Sequence, residues 1–136
     1  MQTKPILAHA DVARILAAAR AEALAQQWPV SIAVVDDGGH LLGLERLDGA
    51  TASSAYIATE KARTAALTRR ETEALEQVVN GGRTAFLAAP NLTPLGGGVP
   101  VQYQGQVIGA VGVSGVKPDQ DAQVAKAGAA VLGEKP

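Results

Sequence analysis

Four charged residues interrupt stretches that are otherwise apolar: Arg46 and Asp48 in Arg46-Leu47-Asp48-Gly49-Ala50, and Lys61 and Arg63 in Lys61-Ala62-Arg63-Thr64-Ala65. Cations in such settings suit a small anion, because charge-assisted hydrogen bonds to a carboxylate are short and strong. The run Gly96-Gly97-Gly98-Val99-Pro100 exposes backbone N–H groups of the kind that build anion-binding concavities. A ligand-binding junction is therefore expected where the Arg46–Ala50 turn, the segment bearing Lys61 and the Leu95–Pro100 loop meet, lined by Arg46, Asp48, Lys61, Gly97, Gly98 and Ser114, at or near a subunit interface. The competing expectation is that Arg46 pairs with Asp48 or with a carboxylate of a partner subunit and the glycines only permit a turn. Asp36 and Asp37 are adjacent carboxylates, yet Asp is ordinary in a turn and the pair does not identify acid–base catalysis.

Familiar catalytic patterns fail one by one. The triple glycine precedes a strand rather than a helix and lacks a following Lys-Ser or Lys-Thr, so it is neither a P-loop nor a dinucleotide fingerprint. Gly112-Val113-Ser114-Gly115 opens like a nucleophile elbow, but that pattern requires glycine at position 116, which is Val. The two histidines, His9 and His40, have no second ligand at a helical metal-binding spacing, so no dedicated zinc site is expected.

Composition narrows the field further. With 12 basic and 13 acidic residues the formal charge is −1, which provides no broad positive field for a phosphate backbone. One Trp, one Phe and two Tyr leave little for unpaired bases to stack on, so nucleic acid is not expected as a partner. The absence of Cys excludes disulfides, thiolate nucleophiles and cysteine-held clusters. No apolar run approaches the roughly 20 residues that span a bilayer, and no signal peptide is visible, so a cytoplasmic location is the default expectation.

The elements that must position these residues follow from periodicity and breakers. Val12, Ile15, Leu16, Ala19, Ala23 and Leu24 recur at helical spacing between Ala10 and Trp28, and Pro29 ends the helix. Val30–Asp36 and Leu41–Leu47 read as a hairpin around Asp37-Gly38-Gly39. Ser53 or Ser54 can cap a helix running to about Thr68, a further helix is expected over Glu71–Val79, and Asn80-Gly81-Gly82 stops it. Pro90–Gly98 is irregular. Val99–Tyr103 and Gln106–Ser114 form a second hairpin around Gln104-Gly105, with Gly109 and Gly112 marking close approach of a backbone or ligand. Pro118 starts a last helix, with Asp119 and Asp121 complementing its dipole, that ends near Leu132-Gly133. Two hairpins packed with helices make one α+β domain over residues 1–136.

Five segments in this order, Ser31–Leu42, Arg46–Ala50, Lys61–Ala65, Gly96–Pro100 and Gly109–Gly115, resemble the GlcG/HbpS-like family, which is related to the C-terminal domain of PduO-type corrinoid adenosyltransferases. The resemblance runs from about Ala8 to Leu132. It implies a profilin-like fold with an antiparallel sheet of about five strands flanked by helices. It also implies a homo-oligomer, from dimer to octamer, and haem or another small molecule as ligand. For haem, His40, beside the glycine turn, and Thr93 are the axial-ligand candidates. The leading functional expectation is thus a haem- or tetrapyrrole-binding protein. The alternatives are an enzyme or accessory protein for a small carboxylate metabolite of glycolate or aromatic catabolism, and a structural or regulatory oligomer whose cleft is filled by side chains. Neither the residues nor the resemblance assigns a reaction.

Overall fold

The computed structural model describes residues 1–132. Its elements are α1 (His9–Gln26), β1 (Ser31–Asp36), β2 (Leu41–Arg46), α2 (Ala52–Thr68), α3 (Thr72–Asn80), a 3-10 turn (Thr84–Ala88), β3 (Gly98–Tyr103), β4 (Gln106–Ser114), α4 (Pro118–Ala129) and a closing 3-10 turn (Ala130–Leu132). The architecture is α+β, with one antiparallel sheet in the order β2-β1-β4-β3. Among the described residues the sheet has four strands where about five were expected, and these four are the strands of the two hairpins. The last strand in sequence sits beside the first, so two segments some eighty residues apart form the middle of the sheet.

Helices cover both faces. α1 and α4 contribute Val12, Ile15, Ala19, Val124 and Ala125 to a cluster with Ile32, Val34, Val111 and Val113. On the other face Ala58, Ala62, Ala65 and Ala66 of α2 pack on Ala33, Val35 and Ala110. With so few aromatics the layers close through small residues. Gly98 and Gly112 are cross-strand partners, and a Cβ on either would collide with the α2 backbone, at the Lys61 carbonyl for Gly98 and at the Ala58 carbonyl and Ala62 amide for Gly112. Helix α2 therefore seats directly on the sheet backbone, which is the close approach expected for a strand glycine.

Local signals explain the boundaries. The α1 N-terminus is closed by Asp11, whose carboxylate accepts the Ala8 N–H at 2.8 Å. Its C-terminus closes with Gln27 in the left-handed region at φ 60°, while the N–H of Trp28 donates to the Ala23 carbonyl oxygen at 2.9 Å. The expected cap of α2 differs: Thr51 holds the N-cap position, and Ser54, buried one turn in, shares a hydrogen bond with the Ser31 hydroxyl at 2.8 Å. The stop after α3 is carried by Gly82 at φ 110°, whereas Asn80 is still helical. The segment before Pro90 holds a 3-10 turn that no periodicity announced. The expected end of the last helix touches Gly133, outside the described residues.

Candidate functional site

The expected junction divides in two. At its centre Lys61 is buried, and its Nζ donates to Asp121 Oδ2 at 3.0 Å and to the Val113 carbonyl oxygen at 2.9 Å. Asp121 Oδ1 accepts the Val116 N–H at 3.1 Å. The ion pair is nearly sealed, its side chains being 5% and 3% exposed. Burial pushes the Asp121 carboxyl above its ordinary value of 3.8, against the opposing pull of Lys61. Gly97 and Gly98 complete this knot rather than an open cradle. Gly97 lies at φ 126°, and a Cβ there would stand 2.7 Å from the Val113 carbonyl oxygen and 2.9 Å from Lys61 Nζ. The Gly98 N–H already donates to Thr72 Oγ1 at 2.8 Å. Ser114 is buried beside Ser31 on the neighbouring strand. The Lys61 charge is thus already met by Asp121 within the chain, and Gly97, Gly98 and Ser114 lie on the segments around that pair.

Arg46 and Asp48 lie elsewhere, in a surface cleft of about 400 Å³ between the end of α1 and the turn after β2. Leu24, Gln27, Trp28, Pro29 and Leu47 complete its lining. Arg46 Nε donates to the Ala50 carbonyl oxygen at 3.0 Å. Among the described residues neither Arg46 nor Asp48 joins a salt bridge, so the expected Arg46–Asp48 pairing does not occur. The residues that sequence reasoning missed are Asp121, read as a helix-dipole partner, and Trp28, read only as the end of a helix.

The haem-ligand candidates occupy different sides of α2. The His40 side chain is 80% exposed, and its Nδ1 lies 3.1 Å from Asp36 Oδ1. That carboxylate is fixed in turn by the N–H groups of Gly38 and His40, both at 2.9 Å. The Gly39 turn leans on Arg63 of α2, which is paired with Glu60. Thr93 is half-buried and held through its N–H to Thr64 Oγ1 at 2.8 Å, and Thr64 follows Arg63 by 100° around the helix. One further strip stands open. Leu41 and Leu44 are register partners of Val35 and Ala33, hence on the face that α2 covers, yet they remain 49% and 41% exposed. Asp37, in the same turn, is held below its ordinary value by the hydrogen bond from Lys4.

A four-stranded antiparallel sheet with helices on both faces defines the class as a single-sheet α+β domain. The chain belongs to the HbpS-like family: the model described as "Haem degrading protein HbpS-like" matches residues 7–130. It is 60% identical over 114 residues to Protein GlcG of Escherichia coli strain K12, covering 84% of this chain and 85% of that one. The crystal structure of an HbpS double mutant from Streptomyces reticuli superposes with a TM-score of 0.89 at 34% identity, covering 98% of this chain and 92% of that one. The crystal structure of a PduOC:heme complex does so with a TM-score of 0.85 at 28% identity, covering 95% and 96%. Among the described residues no helix is long and apolar enough to cross a membrane, and no three His, Cys, Asp or Glu side chains cluster as a metal site would require.

Proposed function

We propose that the chain binds haem or a related tetrapyrrole at the open face of β2, with His40 as the iron ligand. The observation that carries this reading is the Asp36–His40 pair. The Asp36 carboxylate lies 3.1 Å from His40 Nδ1, on one side of an imidazole that is 80% exposed and whose Nε2 has no protein partner among the described residues. A carboxylate behind the remote nitrogen is the usual way proteins orient a metal-ligating histidine. Leu41 and Leu44 add apolar surface along the same strand for a flat ring. The likeness to the PduOC:heme complex and to HbpS supports a haem-type ligand. When bound, haem would supply the redox and gas-binding chemistry of its iron. The chain's own residues would orient the imidazole and cover one ring face. The same reading includes self-association, since the uncovered leucines lie on β2, an edge strand of the sheet.

Titration of the apo protein at micromolar concentration with hemin tests it. A saturable Soret shift is expected, lost or strongly altered in His40→Ala and retained in Thr93→Ala. Asp36→Asn should weaken binding by roughly 10- to 100-fold. Absence of a Soret shift would remove the haem reading, and loss only in Thr93→Ala would move the ligand to that side of α2. Light scattering with and without hemin measures the assembly, for which a monomer at all concentrations is the contrary outcome.

A further inference from the structure

We infer that the Arg46–Trp28 cleft is a second site, separate from the haem surface, that binds small monocarboxylates carrying an aromatic or branched aliphatic body. Three features of the cleft lead there.

The first is the state of Arg46. Its Nε is tied to the Ala50 carbonyl oxygen, which fixes the plane of the guanidinium, and no carboxylate of the described residues pairs with it. The edge formed by its two terminal nitrogens is left, and that edge makes two parallel hydrogen bonds to a carboxylate. Arg20 and Arg63, by contrast, are already paired with Glu45 and Glu60.

The second is the floor. Trp28 is the only Trp of the chain and packs half-buried against the main core, while Leu24 stands 61% exposed beside it, with Pro29 and Leu47 completing an apolar wall. The unusual backbone of Gln27, left-handed without being glycine, turns the chain so that Trp28 and Pro29 flank this space. An indole face offers an aromatic body offset stacking beyond its area burial. A volume of about 400 Å³ suits a molecule of metabolite size.

The third is Asp48, exposed in the same cleft and in no ion pair. A carboxylate near the anion-binding fork repels a second negative charge, so the cleft favours monoanions over dicarboxylates or phosphate.

The test uses the single Trp as reporter. The full chain, free of haem, is titrated with phenylacetate while Trp28 fluorescence is followed, with phthalate and inorganic phosphate as dianion probes. A saturable change is expected with phenylacetate, tenfold or more weaker with the dianions. Arg46→Gln should weaken phenylacetate binding at least tenfold, and Arg46→Lys should fall between, since the charge remains but the fork is lost. Asp48→Asn should narrow the gap between phenylacetate and phthalate, a change in selectivity that a structural role for Asp48 would not produce. His40→Ala should leave the titration unchanged, so failure of the haem reading and failure of this one are separable. No saturable response in the native chain, or an equal response in Arg46→Gln with its circular dichroism unchanged, would overturn the assignment.

Discussion

Lys61 and Arg46 show how the same kind of residue, a cation in apolar company, ends in opposite surroundings within one fold. Lys61 is buried with its charge matched by Asp121 and a carbonyl oxygen. Arg46 is exposed, anchored at one nitrogen only, with a cleft in front of it. The difference lies in neither charge nor neighbouring sequence. It lies in which face of its element each occupies: Lys61 falls on the sheet-facing side of α2 with Ser54, Ala58 and Ala65, whereas Arg46 ends an edge strand. A buried ion pair does structural service, and a surface cation without a partner is where binding is to be sought.

The most severe way to break this contrast is to lift α2 off the sheet. Gly112→Val places a branched side chain where the Ala58 carbonyl and the Ala62 amide stand. The strand backbone cannot yield without parting β1 and β3, so the variant is expected to lose more than about 4 kcal/mol and to be found unfolded or molten by near-ultraviolet dichroism. Next in size is Lys61→Ala. Removing one partner leaves the Asp121 carboxylate buried and uncompensated, at a cost of roughly 3–5 kcal/mol in urea denaturation. The double variant Lys61→Met with Asp121→Leu should recover a large part of that, because no charge then remains to be desolvated. If the double variant is no better than the single one, the pair is more than a matched charge.

A smaller effect comes from pH, and here the two Lys–Asp pairs differ in sign. Asp121, raised by burial, binds its proton more tightly folded than unfolded. Its contribution to stability therefore falls as pH rises through the window between 3.8 and its raised value. Asp37, lowered by Lys4, does the reverse: its contribution is present above 3.8 and is lost as pH falls through its lowered value. Unfolding free energies of Asp121→Asn and Asp37→Asn against pH, each subtracted from the native profile, should show slopes of opposite sign in the acid range. Slopes of the same sign would mean that burial does not govern Asp121. The smallest effect is expected for Arg46→Gln, which should shift stability by less than about 0.5 kcal/mol. A larger loss would mean that Arg46 is as structural as Lys61.

Much of this molecule was readable in advance, because its elements are announced locally. Apolar spacing in α1, Pro29 after it, the glycine turns of both hairpins and Pro118 at the start of α4 are signals within a few residues, and among the described residues the strands and α-helices stand where they point. The site was harder for a physical reason. The bond between Lys61 and Asp121 spans sixty positions, and nothing near Asp121 distinguishes a buried acceptor from a residue complementing a helix dipole. One signal did exist: Ser54, Ala58, Lys61 and Ala65 follow the helical stripe of small residues that a sheet-facing side requires, which marks Lys61 as buried. The Arg46 cleft could not be read, since Leu24 continues the apolar stripe of α1 and only the end of the sheet leaves it uncovered.

The order β2-β1-β4-β3 also bears on how the chain comes into being as it leaves the ribosome. When the first seventy residues have emerged, β1 lacks its neighbour on one side and α2 has no glycine seat to rest on, since Gly98 and Gly112 are still to be made. Even when both hairpins are present, Lys61 cannot be buried cheaply until α4 brings Asp121. Until then Lys61 lacks its counter-charge, so a settled interior is expected only once α4 has been synthesised.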